Sequence, residues 1–512
     1  MDFLRQIKLI QGGMGVYVSN FRLASAVAAA RPGLTAGTVS GTALDVVHVR
    51  LLQLGDPGGH IQSALQAFDA QFQVEIGARI IQEYFIEGGK QPGERYKLGP
   101  RQRFYTPDRS QALPVPGDNP TPIDLTVDES LIEILIATGY AEVWLAKRGH
   151  NGRILINFLH KVQLPLIYAL YGAMLAGVDG IVVGAGNPDG LPRDVSNLAV
   201  HQPVSTEVPL LYRESGETFL VTFDPSSIAG GRLAQKPLQR PAFLAIVSSE
   251  GLAAALANSP SGPPDGFIIE HHTAGGHNAP PLGPLQKDAL EQPIYGQEDE
   301  PDFEVIRQQS LPFWLAGGYG SPSGLAKAQQ VGAAGVQVGT IFALTQESGL
   351  APEHKMAVLS ALRTGTTDAD LVRTTLFSPT GYPFKVAQLA GTLSEETVYQ
   401  NRTRVCDLGF LQQRGFDKPA PDGARQVFQR CPAAPLEDFK RKRGLPFNAA
   451  DKRCLCNGLL SAVGLGQIHP SRGEEPAIVT LGNDLSGVRR LSRCGQTLYW
   501  AEDVVRDLLE EV

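Results

Sequence analysis

The chain has 512 residues, with 45 Lys+Arg against 52 Asp+Glu for a net charge of −7, and 43% hydrophobic against 19% charged residues. This composition excludes general disorder and fits either one large barrel with additions or two to three smaller domains. The acidic balance argues against a nucleic-acid backbone as the main partner and suits a protein that handles a small molecule.

Met1 to Ile10 mixes Asp2, Arg5, Gln6 and Lys8 with apolar residues, so it lacks an apolar signal core, and a cytoplasmic location is expected. Short apolar runs then recur along the chain, each ending in small residues. They are Leu9 to Gly13, Leu34 to Val39, Ile154 to Asn157, Gly180 to Gly184, Phe243 to Ser248, Gly266 to Glu270, Phe313 to Gly317 and Gly335 to Gly339. Stretches of helical period alternate with them, among them Asn20 to Ala30, Gln163 to Ala176, Ser249 to Ala257 and Ser323 to Val331. The most apolar of these regions, Pro165 to Gly186, contains Asp179 and several glycines, and reads as a buried helix and strand, not a membrane span.

Continuous apolar strands separated by helices predict a parallel sheet covered on both sides. The repeat predicts an α/β fold, a (β/α)8 TIM-type barrel over residues 1–345, with functional residues at the strand C-termini; an open doubly wound sheet is the alternative. Two stretches interrupt the repeat. The first, about 55–140, lies after the second strand. It holds a helical run from Ile61 to Tyr84 and a Gly/Pro/Arg-rich stretch from Gly88 to Pro122, and reads as an insertion over the barrel mouth. Val143 to Ala146 is expected as an extra edge strand. The second, Gln202 to Leu238, is expected as a hairpin or excursion. Residues 346–512 form a C-terminal extension, expected to be largely helical and irregular, and carry all five cysteines.

The first strand ends in Gln11-Gly12-Gly13-Met14-Gly15, which by itself reads as a tight βα turn. The last two units carry Ala316-Gly317-Gly318 and Gln337-Val338-Gly339-Thr340. In eight-stranded barrels the loops after strands seven and eight often bind phosphate through backbone N–H groups, and two consecutive glycine turns point there. The sixth unit reads Glu270-His271-His272-Thr273-Ala274-Gly275-Gly276-His277. His277, just past a Gly pair at a strand end, is placed to abstract a proton or to bind an anion; a loop histidine without a catalytic role is the alternative. Adjacent His271 and His272 do not offer the geometry of a metal site. Gly184 to Gly190 fails as a dinucleotide fingerprint because its third glycine comes one position late and Pro188 disrupts the helix start. Lys440 to Arg443 reads as a solvated helix end.

Cys406, Cys431, Cys454 and Cys456 are candidates for a four-thiolate structural site for zinc or, second, an iron–sulfur cluster, with Cys494 as a spare. Buried free cysteines are the alternative, since the spacings are long and Cys-x-Cys is less typical of zinc than Cys-x2-Cys.

Taken in order, Gln11-Gly-Gly-Met-Gly, Asn157, Ala274-Gly-Gly-His277, Ala316-Gly-Gly and Gln337-Val-Gly-Thr340 resemble the nitronate monooxygenase (2-nitropropane dioxygenase-like) family over roughly residues 9–344. The resemblance implies FMN at the mouth of a (β/α)8 barrel. Gly12, Gly13 and Met14 would line its ring, and Asn157 would bond near the ring or ribityl chain. Gly275 and Gly276 would flank it, and Gly317, Gly318, Gly339 and Thr340 would hold its phosphate. His277 would be the catalytic base. Asn-Ala-Pro-Pro after His277 departs from the shorter members, and Arg453 to Asn457 is similar to longer bacterial members. The activity implied is oxidation of alkyl nitronates by O2 to a carbonyl compound and nitrite. The alternatives are an NAD(P)H-dependent flavin reductase of enoyl or quinone substrates and a non-catalytic phosphate-ligand or flavin-binding scaffold. The expected partners are a small-molecule substrate and O2, without nucleic acid or membrane; a homo-oligomer is compatible with this reading.

Overall fold

Eight parallel strands close into a barrel in strict chain order: β1 (Leu9–Gln11), β2 (Thr35–Ser40), β3 (Arg153–Leu159), β4 (Gly180–Gly184), β5 (Ala242–Val247), β6 (Gly266–Glu270), β7 (Phe313–Ala316) and β8 (Gly335–Val338), with β8 returning to β1. The computed structural model describes residues 2–100, 122–213, 216–416, 427–471 and 473–509. All eight expected strands are present, and the closed topology replaces the open-sheet alternative with a TIM barrel.

Side chains alternate across each strand, so every second residue points into the barrel. The lower interior is sealed by Leu4, Ile7, Ile10, Leu155, Val182, Leu244, Ile268 and Trp314, all buried. The Trp314 indole N–H donates to the Ile7 carbonyl at 2.9 Å, which ties the N-terminal turn across the barrel floor. Two residues further along the inner faces stand Gly12, Asn157, Gly184, Ile246, Glu270, Ala316 and Gln337, and these open onto a cavity. The floor is therefore packed, and the C-terminal ends of the strands carry the site.

Helix α1 (Phe21–Ala30) lies directly on β2 because Gly37 has no side chain; a Cβ there would meet the Ala24 carbonyl oxygen at 1.9 Å. Helices α2 (Leu44–Gln53), α3 (His60–Phe72) and α4 (Ile76–Tyr84) follow β2. The edge strand expected over Val143 to Ala146 is instead the end of an 18-residue helix, α5 (Glu129–Ala146). The reason is burial: α5 is enclosed on nearly every side, so its apolar residues show no single helical stripe, and the short Val-Trp-Leu run gives a strand-like pattern. α5 crosses α6 (Gln163–Leu175) at two glycines. A Cβ on Gly139 would lie 2.3 Å from the Ala169 carbonyl oxygen, and one on Gly172 would lie 2.0 Å from that of Ile136. Most of the Gly88 to Pro122 stretch lies outside the described residues. In the second interruption Val204–Glu207 and Phe219–Phe223 pair antiparallel.

The C-terminal extension contains more strand than expected. β9 (Val372–Phe377) and β10 (Pro383–Ala387) form a hairpin, and β10 pairs with the short strand Gly276–His277 that follows β6. Pairs also form between Gln413–Phe416 and Val427–Arg430, and between Ile468–His469 and Gly473–Glu474. These strands are too short to carry a clear alternation. The described residues of the extension do not stand apart from the barrel: buried Val386, Leu481, Leu485 and Val505 belong to the same apolar core as β1 to β8.

The crossing of α5 and α6 gives the first prediction. Gly172→Ala forces the helices apart and is expected to cost about 1–3 kcal/mol, measured as a lowered denaturation midpoint. An unchanged midpoint would contradict the close packing described.

Candidate functional site

The cavity at the strand C-termini has a volume of about 550 Å³. Gly12, Gly13, Met14, Asn157, Gly275, Gly276, His277, Gly317, Gly318, Gly339 and Thr340 all line it, so every barrel residue singled out in the sequence comes to one place. Cys456 also reaches its wall, whereas Cys406, Cys431 and Cys454 line a separate small cavity.

The first glycine turn is held by buried polar side chains absent from the motif reading. Ser19 Oγ donates to the Gly12 carbonyl at 2.8 Å and accepts from the Met14 N–H at 2.8 Å. The Gln11 amide donates to the same carbonyl and to Ser19 Oγ, and accepts from the Thr38 N–H at 2.9 Å. Gly13 rests against Asn157, where a Cβ would fall 2.2 Å from the asparagine Cβ. Gly317 has φ of +87°, and a Cβ there would meet the His271 carbonyl and Thr273 Oγ1 at 2.9 Å. Both positions therefore require glycine.

The C-terminal extension builds the opposite wall. Backbone pairing sets His277 opposite Phe384 and Gly276 opposite Lys385. The Phe384 ring meets the His277 ring edge-on at 4.6 Å. Gly482 N–H donates to Thr340 Oγ1 at 2.8 Å, and Asn483 N–H donates to the Thr273 carbonyl at 3.0 Å. Tyr382, Phe410, Leu411, Leu459, Leu460 and Leu481 complete an apolar face.

This cover desolvates a cluster of ionisable groups. Burial holds the His277 imidazole well below its ordinary pKa, with the Lys161 charge acting in the same sense, so it is neutral at pH 7. Burial also lowers Lys161 to about 7, opposed by Glu270. Glu270 is raised to about 7 by burial, against the pull of Lys385 and Lys161. Lys385, lowered by burial to about 8, donates its ammonium to the His272 carbonyl. The Lys161 ammonium sits over the Tyr382 ring, 4.5 Å from its centre. His277 Nε2, Lys161 Nζ, Asn278 Oδ1 and Gln337 Oε1 are buried without a hydrogen-bond partner. Three of these residues, His277, Asn278 and Gln337, line the cavity, and unpaired buried polar atoms are costly unless a ligand meets them.

His271, His272 and Glu300 offer ligand atoms within 4.8 Å of one another. His271 is already bonded to Thr273 Oγ1 at 2.8 Å and Glu300 at 2.9 Å, and the His272 ring stacks on Tyr295 at 3.9 Å. They buttress the loop after β6.

Residues 229–384 match a family model described as nitronate monooxygenase, a span that includes β5 to β8, His277, β9 and the first two residues of β10. Over that stretch the chain is similar to the nitronate monooxygenase family. No curated protein matches the chain. Among solved structures, FabK from Thermotoga maritima is 14% identical with a TM-score of 0.45, covering 100% of this chain and 94% of its own. A nitroalkane oxidase from Streptomyces ansochromogenes is 14% identical at 0.39, covering 99% and 95%. At these scores neither adds to the assignment. Among the described residues, no helix is long and apolar enough to cross a membrane.

Sequence reading missed Lys161, Glu270 and Lys385 as site residues. Lys161 stands just past the end of β3 and Glu270 ends β6, where barrel chemistry collects, so strand ends were a usable signal for both. Lys385, Tyr382 and Phe384 carried no such signal, because only the hairpin pairing brings them to the mouth.

Phe384→Ala admits water to His277. Its imidazole pKa should rise toward the ordinary 6.5, read from the ring-carbon resonance of selectively labelled histidine. An unshifted titration would show that the hairpin does not set the desolvation.

Proposed function

We propose that the protein is an FMN-dependent oxidoreductase that oxidises alkyl nitronates with O2 to a carbonyl compound and nitrite. The observation that carries this reading is His277: a buried neutral imidazole with an unpaired Nε2 at the wall of a cavity lined by glycine turns.

The cavity fits FMN. Gly12, Gly13 and Met14 offer a flat backbone face beside Asn157 for the ring, flanked by Gly275 and Gly276. Gly317, Gly318 and Gly339 offer a side-chain-free cradle for the phosphate, with Thr340 beside it. FMN, when bound, supplies an electron acceptor that passes electrons on to O2.

The protein's own part is binding and proton chemistry. His277 Nε2 is a base free to take the α-proton of a neutral nitroalkane, leaving the nitronate anion. The Lys161 ammonium offsets that negative charge from beside His277 and Glu270. The apolar wall of Phe384, Phe410 and Leu411 excludes water, which strengthens both interactions.

A second reading, an NAD(P)H-dependent reductase of enoyl or quinone substrates, draws on two features. Glu270 and Lys161 both titrate near 7 beside His277, giving further proton-bearing groups. Leu459, Leu460 and Leu481 extend the apolar wall for a longer substrate.

His277→Ala should lower turnover of a neutral nitroalkane by about 100-fold or more while preformed nitronate loses less than about tenfold. Equal loss with both would remove the base role. Anaerobic mixing with NADPH and with NADH separates the two readings: rapid bleaching of the flavin spectrum would favour the reductase over the nitronate oxidation proposed.

A further inference from the structure

Four of the five cysteines come from distant parts of the C-terminal extension and meet. Cys406 lies in the loop before Gln413–Phe416, Cys431 follows Val427–Arg430, Cys454 precedes the helix Cys456–Ser461, and Cys456 begins it. All four line one small cavity and none is in a disulfide, whereas Cys494 is elsewhere and exposed. Cys454 is buried, Cys431 and Cys456 are half-buried, and Cys406 faces solvent, which leaves a way in.

Arg404 lies among the sulfurs. Its guanidinium bonds to the Cys454 and Cys406 sulfurs, and it lines the same small cavity as Cys431 and Cys456. Its Nε is buried without a hydrogen-bond partner. A buried guanidinium among thiol sulfurs suits a bound group of net negative charge. The backbone N–H groups of Leu411 and Ala433 point at the Cys456 and Cys431 sulfurs, and such bonds are a recognised means of tuning thiolates in iron–sulfur sites.

We propose that Cys406, Cys431, Cys454 and Cys456 hold an iron–sulfur cluster, with Arg404 as its buried counter-charge. Spacing decides against zinc. Zn–S bonds of about 2.3 Å arranged tetrahedrally set all four sulfurs about 3.8 Å apart. Among the described residues, the one set of three potential ligand atoms within 4.8 Å of one another is His271, His272 and Glu300, so no three of these sulfurs come that close. A cluster spreads its four thiolates over several irons and so holds them farther apart. Cys456 and Leu411 line this cavity and the large one alike, so a single wall separates the cluster from the barrel mouth. The proposal rests on the C-terminal extension alone; its failure would leave the flavin reading untouched, and loss of the flavin reading would leave it standing.

The test uses the full chain, produced with iron supplied and purified without oxygen or chelator. Iron, acid-labile sulfide and zinc are measured, and an electron paramagnetic resonance spectrum is taken after dithionite reduction. Iron and sulfide should appear in equal amounts, about two or four of each per chain, with a cluster signal on reduction. Cys494→Ser should keep that content in full, and Cys454→Ser should reduce it to a trace. The wild-type analysis decides even if Cys454→Ser does not fold. Zinc without iron, or a metal-free chain whose four thiols are freely alkylated in the native state, would overturn the proposal.

Discussion

The site depends on one backbone contact, the antiparallel pairing of Gly276 and His277 with β10 of the C-terminal extension. An eight-stranded barrel ends in an open ring of strand termini, and polar groups there would meet water. The pairing brings Phe384 onto His277 and Lys385 close to Glu270, and it converts that rim into a covered cavity. Desolvation follows, and with it the neutral state of His277 and the near-neutral titration of Lys161 and Glu270. The extension thus forms part of the cavity wall, although the glycine turns that line the cavity at Gly12, Gly13, Gly317, Gly318 and Gly339 all belong to the barrel.

A second anchor joins α2 and the segment after it to the extension. Arg50 of α2 is buried and pairs with Asp407 of the extension at 3.2 Å, and donates to Asn457 at 3.1 Å. Tyr96 N–H donates to Gln467 at 2.9 Å. Removing one partner of such a buried pair leaves an uncompensated charge, so these contacts fix the segment after β2 and the extension as one cover. The loop that carries Cys406 is held by the same Asp407.

Much of this was legible in the sequence, for physical reasons. Strands buried on both faces read as continuous apolar runs, which is why all eight barrel strands stand out between helical stretches. Glycine turns were legible because close backbone approach permits nothing else, as at Gly13 and Gly317. α5 was misread at Val143 to Ala146 because a helix enclosed on all sides loses its stripe. Phe384, Lys385 and Tyr382 were invisible, since their role comes from long-range pairing and not from local pattern. The four cysteines were conspicuous by type, but only the fold brings them together around Arg404.

The central claim is that the covered barrel mouth is an FMN site, and titration of the purified full chain with FMN tests it most directly. Flavin fluorescence should be quenched to a stoichiometry of one FMN per chain. Gly317→Ala, which puts a Cβ against the His271 carbonyl, should weaken binding by at least about 100-fold with the fold intact by circular dichroism. A wild-type chain that neither retains FMN on purification nor quenches added FMN would contradict the account.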